Sequence, residues 1–304
     1  MRNFKNIFVL LDRKIGDEAT LDRAVEMARD NKARLTLAEV VEHVPERSNT
    51  LGFIDERAAH LERLVGGLRS TGIEVDEVVL QGPTFIAIIR HVLREGIDLV
   101  MITADGRGGL RDLFFGSNSL HLIRKAPCPV WVMKPVKHEP YKRIMAALDL
   151  AVGDPEHEGL NRRILELGVS LARNDGSELV ITHAWDLEGA DLEHSRMELP
   201  YGELEKLLEE NETRHSTRLD ELLEGIDLGQ VRLEPHLERG DPGVVIPLLA
   251  ETQKVDCIVM GTVCRTGISG FFIGNTAETI LQQVACSVLT LKPKGFVSPV
   301  TLTG

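Results

Sequence analysis

Short apolar runs alternate with amphipathic segments along most of this chain of 304 residues. In the longer segments apolar residues recur at three- and four-residue spacing, which predicts helices, whereas the short continuous runs predict buried strands. In the first half the predicted strands are residues 6–12, 34–41, 73–80, 98–103 and 129–133. The predicted helices between them are residues 18–30, 53–68, 85–94 and 117–125. Strands that alternate with helices of this length indicate crossover connections and a parallel sheet.

The same alternation begins again after the middle of the chain. The predicted strands of the second half are residues 143–149, 178–185, 231–237, 256–261 and 287–291. The predicted helices are residues 160–173, 202–223, 242–250 and 276–285. A polar stretch that ends at Pro140 separates the two series and reads as a linker. We therefore predict a first domain at 1–135, a linker at 136–140, a second domain at 141–295 and a tail at 296–304.

The two halves also match residue by residue, which indicates a duplication. Residues 98–118 align without a gap on a segment 158 residues further on, so that Asp98 falls on Asp256 and Gly116 falls on Gly274. At the first strand of each half the offset is 137 residues. The second half therefore carries 21 extra residues, which we expect in surface loops around 154–157 and 186–199 because these stretches are acidic and polar.

Composition narrows the possible partners. The apolar content of 43% and the aromatic content of 4% predict well-filled, aliphatic cores. With 35 Lys and Arg against 47 Asp and Glu, the net charge of -12 disfavours binding to nucleic acid or to an anionic membrane. A local anion site built from backbone amides is still compatible with this charge.

The cysteines and the hydropathy of the chain indicate the cellular compartment that we expect for the protein. The four cysteines show no metal-ligand pairing and read as buried thiols in a reducing environment. The N-terminal apolar run is too short for a signal peptide, and no run approaches the roughly 20 apolar residues of a membrane span. A cytoplasmic protein is the expectation.

Each half contains a strand that leads into a glycine-rich loop and then into a helix. Glycines let backbone N–H groups turn toward an anion, and a helix N-terminus adds unpaired donors and the positive end of a dipole. In open parallel sheets, ligands bind beyond the carboxyl ends of the strands, where the winding direction reverses. Asp12 and Asp149, which end the first strand of each half, would accept hydrogen bonds from a ribose or an amine there. Val40 and Val41, with Ala184 in the second half, would line a slot for a flat base.

These repeated strands, strand-end aspartates and glycine loops resemble the universal stress protein family in its tandem form. The loop at 261–278 is similar to that of the E-type tandem subgroup, and the resemblance covers about 1–135 and 141–293. It implies two flavodoxin-like, or adenine-nucleotide α-hydrolase-like, doubly wound α/β domains with five parallel strands each in the order 3-2-1-4-5. It also implies pairing through the fifth strands, as an intramolecular pseudo-dimer or in a homodimer. ATP is bound by some members and not by others.

The sequence departs from the ATP-binding pattern of the family in both halves. In the first half the motif positions are Thr103, Gly106, Gly116 and Ser117, followed by Asn118. In the second half they are Gly261, Cys264, Gly274 and Asn275, with Arg265 and Thr276 beside them. The motif favours the first half as the phosphate site, because only the leading glycine is replaced. Charge favours the second half, because the first loop carries Asp105 and Asp112.

Two classes of function follow. The first is a stress-response sensor that binds an adenine nucleotide, with no metal beyond one accompanying the nucleotide and with at most slow hydrolysis. The second is a scaffold or chaperone-like interaction protein whose pockets are degenerate or hold an apolar ligand. Simpler explanations compete at each position: the aspartates would cap turns, the glycines would only allow positive φ, and His183 would be a polar strand residue. No nucleophile, base and acid stand together in the sequence.

Overall fold

The computed structural model describes residues 4–12, 17–42, 50–104, 115–135, 139–150, 155–186, 202–262 and 274–302. These residues form two compact units, one of Met1–Pro140 together with Thr262–Gly304 and the other of Tyr141–Gly261. Of the loop residues predicted to bind ligand, Gly106, Cys264 and Arg265 lie outside the described residues, as do Asp105 and Asp112.

The first series of elements follows the predicted alternation of strand and helix. Its elements are β1 (Asn6–Leu10), α1 (Glu18–Asn31), β2 (Arg34–Val41), α2 (Thr50–Arg69), β3 (Val75–Gln81), α3 (Thr84–Glu95), β4 (Leu99–Thr103), α4 (Ser117–Lys125) and β5 (Val130–Met133). The second series begins with β6 (Arg143–Ala147), α5 (Pro155–Asp175), β7 (Glu178–Trp185), α6 (Glu203–Leu223), β8 (Leu233–Arg239), α7 (Pro242–Thr252) and β9 (Cys257–Gly261). It ends with α8 (Asn275–Gln283) and β10 (Ser287–Leu291), which belong to the first compact unit.

The sheet of the first unit has the strand order β3-β2-β1-β4-β5-β10. Its first five strands are parallel, with Ile7 paired to both Leu35 and Leu99. The predicted doubly wound order 3-2-1-4-5 is therefore confirmed in this unit. β10 pairs with β5 in the antiparallel sense, with Leu289 opposite Trp131, so the fifth strands of the two repeats are hydrogen-bonded to each other.

The sheet of the second unit has the order β9-β6-β7-β8, and all of its strands are parallel. It repeats the order of the first four strands of the other half. In both halves the chain winds outward in one direction through the second and third strands, and the fourth strand lies on the other side of the first. The winding direction therefore reverses between β1 and β4, and between β6 and β9, which is where ligands of such folds bind.

Aliphatic strands fill the cores, as the composition predicted. Ile7, Phe8 and Val9 on β1 are fully buried, and so are Leu179, Val180 and Ile181 on β7. Strands covered by helices on both faces bury every residue, which explains why these runs are continuously apolar. The domain boundaries near 135 and 141 stay predictions, because the compact units are defined by contacts and place β10 beside β5.

The aligned aspartates of the duplication have the same structural role in both halves. Asp98 accepts hydrogen bonds from the backbone N–H groups of Lys5 at 2.7 Å and Asn6 at 3.0 Å. Asp256 accepts them from Lys142 at 2.7 Å and Arg143 at 3.0 Å. Each carboxylate thus fixes the start of the first strand of its half, at the edge of the sheet opposite to the predicted ligand site.

The cysteines within the described residues carry no disulfide. Cys128 and Cys257 are buried, and Cys286 is partly buried. Burial raises the pKa of the Cys128 thiol to about 12, which keeps it protonated and unreactive at neutral pH. Among the helices of the described ranges, none is both long and apolar enough to cross a bilayer.

Candidate functional site

The predicted site of the first half lies at the carboxyl edge of its sheet, meaning the edge at which the parallel strands end. β1 and β4 are neighbours, with Val9 paired to Met101, so Asp12 and Thr103 follow these strands at the same edge. Because β4 and β5 are parallel, α4 must run back from this edge to the opposite one. Its N-terminus, with Gly116, Ser117 and Asn118, is therefore directed to the carboxyl edge.

A partly buried hydrogen-bond chain links the ends of β1 and β4. The carboxylate of Asp17 accepts hydrogen bonds from the backbone N–H of Asp12 and from the hydroxyl of Thr103, the latter at 2.7 Å. The hydroxyl oxygens of Thr103 and Thr20 are also 2.7 Å apart. Since Thr103 gives its one hydroxyl proton to Asp17, Thr20 is the donor in this second pair. Thr103, where the family motif has a glycine, thus has a structural role of its own.

The environment of Asp17 changes its acidity. Burial raises the pKa of the Asp17 carboxyl to about 6, outweighing the hydrogen bonds from Thr103 and Asp12, which lower it. The negative charges of Asp12 and Glu18 act in the same direction as burial. A carboxyl group that titrates near neutral pH at a ligand edge is a feature of functional sites in general.

The predicted base slot of the first half is only partly supported by the geometry. Val40 and Val41 are consecutive residues of β2, so their side chains point to opposite faces of the sheet and only one of them can face a given ligand. Glu39, on the same face as Val41, is fully buried and binds Arg57 at 2.5 Å and His60 at 2.8 Å. That face is therefore occupied by an ion-paired cluster between β2 and α2.

The helix-capping glycines do not use the backbone freedom that their residue type allows. Gly116 has φ -56° and ψ 162°, and Gly274 has φ -60° and ψ 141°. The simpler explanation that these glycines only permit positive φ is therefore wrong at both positions. Each is the N-cap of its helix and offers no side chain to the first-turn N–H groups, which leaves these donors to another acceptor.

In the second half, the strand-end aspartate is held by an asparagine. The side chain of Asn161 accepts a hydrogen bond from the N–H of Asp149 at 3.0 Å and donates one to its carbonyl oxygen at 2.7 Å. Asn161 lies on α5 and is buried. This reciprocal pair fixes the backbone at the end of β6, as Asp17 does at the end of β1.

Histidines and an arginine hold the residue that follows Asp149. Nδ1 of His183 lies 3.3 Å from the N–H of Leu150 and 3.3 Å from the carbonyl oxygen of Leu148, and its tautomer decides which bond it makes. Arg218 donates to the carbonyl oxygen of Leu150 at 2.6 Å. His183 is fully buried, and its ring centroid lies 4.6 Å from that of His215, whose pKa is lowered by burial. His183 is thus packed between strand and helix, as expected for a strand residue.

Two further predicted residues of the second half are explained by packing. Ala184 is buried and faces the side of the sheet opposite to His183 and Trp185. A Cβ atom on Gly261 would lie 2.7 Å from Cδ2 of Leu160, so glycine permits the close approach of α5 without a shift of that side chain. Gly274, Asn275 and Thr276 belong to the first compact unit, where the N–H of Gly274 donates to the carbonyl oxygen of Thr262 at 3.3 Å.

A cavity of about 310 Å³ opens beside Leu150, between α5 and α6. Its lining is Leu150, Pro155, Glu158, Gly159, Asn161, Arg162, Arg218, Glu221 and Leu222. The volume is at the lower end of the range typical of small-molecule sites. Arg162 and Arg218 are matched by Glu158 and Glu221 in this lining, so the cavity suits a small ligand with an apolar part and polar groups of either sign.

Comparison with known proteins agrees with this geometry. The family model described as "Universal stress protein family" matches residues 3–134 and 140–292. The chain belongs to the universal stress protein family. Universal stress protein E of Escherichia coli strain K12 is 28% identical over 315 residues, covering 99% of this chain and 98% of the relative. A Universal stress protein E homolog of Haemophilus influenzae is 26% identical, covering 95% of this chain and 98% of the homolog.

Solved structures show the same fold. A functionally unknown protein from Pseudomonas aeruginosa PAO1 superposes with a TM-score of 0.77 at 26% identity, covering 96% of this chain and 94% of that one. A universal stress protein from Archaeoglobus fulgidus gives a TM-score of 0.62 at 17% identity, covering 94% and 98%, which supports the fold alone. The predicted family, its tandem form and the doubly wound fold are thus confirmed, and membership supports a role in the stress response.

Sequence reasoning missed the residues that hold the strand-end aspartates of this universal stress protein. Asp17 directly precedes α1, where an aspartate usually caps the helix, so its position in the sequence carries no sign of a distant partner. Its side chain makes no capping bond and reaches Thr103, far away in the sequence. Asn161 lies inside α5 and carries no pattern that distinguishes it from a surface asparagine.

Proposed function

We propose that this universal stress protein is a stress-response sensor that binds an adenine nucleotide, or a related small ligand, without rapid turnover. The observation that carries the proposal is the meeting of Asp12, Thr103 and the N-terminus of α4 at one edge of the first sheet, where the winding reverses. A carboxylate there suits a ribose or an exocyclic amine, and the uncapped amides of α4 suit a phosphate.

The first half is the better candidate for nucleotide. Its predicted residues Asp12, Thr103, Gly116, Ser117 and Asn118 all belong to one compact unit. In the second half, Gly261 is packed closely against Leu160, and Trp185 occupies the position of Val41 at the end of the second strand. The indole of Trp185 packs near His215, with ring centroids 5.4 Å apart, and reduces the room for a base on that face.

Isothermal titration of the full chain with ATP tests the proposal. We expect a dissociation constant in the millimolar range or below, and an affinity reduced at least about tenfold in Asp12→Asn, because one charge-assisted hydrogen bond is worth roughly 1.5–3 kcal/mol. Asp22→Asn is the matched control: it removes the same charge from α1, where Asp22 is exposed to solvent. The absence of heat at millimolar ATP, or equal losses in both variants, would exclude the nucleotide.

A second candidate is a protein that carries a different small ligand, or acts through its partners, with nucleotide sites that have degenerated. The cavity between α5 and α6 favours it, because its lining owes nothing to the glycine loops. Gly159 lines this cavity, and a Cβ atom there meets nothing within 4 Å. Gly159→Phe should fill the cavity and abolish any small molecule that mass spectrometry detects in the purified protein, whereas Gly159→Ala should retain it.

A further inference from the structure

The two halves hold equivalent strand-end aspartates by different chemistry. In the first half the N–H of Asp12 donates to the carboxylate of Asp17. In the second half the N–H of Asp149 donates to the side-chain carbonyl of Asn161, at 3.0 Å. A carboxylate gains or loses a proton as the pH changes, whereas an amide keeps its donor and acceptor at any physiological pH.

In the first half, the charge of Asp17 determines the direction of the hydrogen bonds that follow. When Asp17 is ionised it can only accept, so Thr103 must donate to it and Thr20 must donate to Thr103, with both oxygen pairs at 2.7 Å. When Asp17 carries a proton it can donate to Thr103, and the hydroxyl proton of Thr103 becomes available to another acceptor. Protonation also replaces a carboxylate by a neutral acceptor for the N–H of Asp12, which weakens that bond.

We propose that Asp17 is a positioning residue that makes the ligand edge of the first half responsive to protons, whereas Asn161, the anchor at the equivalent position of the second half, does not titrate. The proposal deepens the proposed function, since it assumes that ligand binds at these edges. One protein would then anchor its two equivalent strand-end aspartates differently, by a titrating side chain in the first half and by a non-titrating one in the second.

The surroundings of Asp17 are consistent with titration in the physiological range. Burial raises the pKa of Asp17 to about 6, and among the described residues the carboxylates of Asp12 and Glu18 act on it in the same direction. The hydrogen bonds from Thr103 and from the N–H of Asp12 oppose that rise. In the second half, Asn161 contributes no charge, and its amide neither gains nor loses a proton between pH 5 and pH 8. The titratable and charged groups near Asp149 are His183, His215 and Arg218, which contact its neighbours or each other.

Solution NMR of the full chain, without ligand, tests the proposal. We expect the amide proton of Asp12 to shift in a single step with a midpoint near pH 6. The step should vanish in Asp17→Asn, whose amide oxygen can still accept from the N–H of Asp12 while its NH2 group donates to the hydroxyl of Thr103. It should persist in the exposed control Asp22→Asn. The amide of Asp149 should gain a step in Asn161→Asp. Persistence of the Asp12 step in Asp17→Asn, or no new step in Asn161→Asp, would overturn the proposal.

A second arm separates this inference from the proposed function. For the parent protein and for Asp17→Asn, the ATP affinity at pH 5.5 is divided by the affinity at pH 7.5. Protonation of ATP itself changes both ratios equally, so it does not affect their comparison. We expect the two ratios to differ by more than twofold, and equal ratios would contradict control of the site by Asp17. If ATP gives no heat while the Asp12 step is present and depends on Asp17, the nucleotide proposal fails and Asp17 remains the titrating anchor.

Discussion

Asn161 and Asp149 exchange two hydrogen bonds, one in each direction, at 3.0 and 2.7 Å. Both backbone groups of Asp149 at the end of β6 are thereby satisfied by a single buried side chain. At the corresponding position of the first half, the described hydrogen bond is the one from the N–H of Asp12 to the carboxylate of Asp17. The duplicated fold thus keeps the anchor and changes its chemistry.

Removing the amide of Asn161 should destabilise the protein. In Asn161→Leu, which has nearly the same shape, the N–H and the carbonyl of Asp149 lose their partner, at a cost of about 2–4 kcal/mol in the free energy of unfolding. Urea denaturation measures the change. Asn211→Leu, on α6, is the control and should stay within roughly 0.5 kcal/mol of the parent, as surface substitutions usually do. Equal stability of Asn161→Leu and the parent would contradict the role of this pair.

The raised pKa of Asp17 predicts a direction for the effect of pH on stability. Between the ordinary value of 3.8 and about 6, the folded protein binds more protons at this carboxyl than the unfolded chain does. The contribution of Asp17 to stability is therefore largest below pH 4, falls as the pH rises to about 6 and is constant above it. Asp17→Asn should remove this fall. Urea midpoints measured every half pH unit from 4 to 7 would reveal it, and parallel curves for the two proteins would contradict it.

We expect that packing, and not backbone conformation, favours glycine at position 261 of the motif. Gly261→Ala places a methyl group 2.7 Å from Cδ2 of Leu160 and should destabilise the protein by about 1–3 kcal/mol, as overpacking does. The double variant Gly261→Ala with Leu160→Ala should lose less stability than the sum of the two single variants, because the clash is gone. Additive losses in this cycle would show that Leu160 is not the cause.

Replacing two other glycines by alanine should change the stability of the protein in opposite directions, because their backbone conformations differ. Gly66 lies within α2, and a Cβ atom there meets nothing within 4 Å. Gly66→Ala should therefore stabilise the protein by about 0.5–1 kcal/mol. Gly72 has φ +83°, and Gly72→Ala should destabilise it by about 1 kcal/mol although the space is equally open. Thermal unfolding of the two variants gives the comparison, and a shift of the same sign in both would contradict it.

The ends of the helices and strands show how much of the structure the local sequence pattern predicts. Helix α4 and strands β2, β7 and β10 begin and end where the pattern predicts, because their apolar residues coincide with the buried stretch. Helix α5 begins at Pro155, five residues before the predicted start, since its first turn is polar and carries no apolar repeat. Proline at the first helical position was the signal for it.

The residues of the candidate site also divide into those that the local sequence pattern predicts and those that it does not. The strand-end positions Asp12 and Asp149, and the helix starts at Gly116 and Gly274, were accessible to sequence reasoning because each lies directly after or before a periodic segment. The anchors were not. Asp17 reaches Thr103 across 86 residues, and no local spacing records which side chain will face it.

The sequence by itself determined the duplication, the doubly wound α/β fold and the family, because the burial of strands between helices imposes a local periodicity that the residues display. Only the tertiary structure decided which side chains meet at the carboxyl edges: Asp17 with Thr103 in one half, and Asn161 with Asp149 in the other. The physical reason is that hydrophobic periodicity depends on neighbours along the chain. Buried hydrogen bonds depend on which strands and helices become neighbours in space.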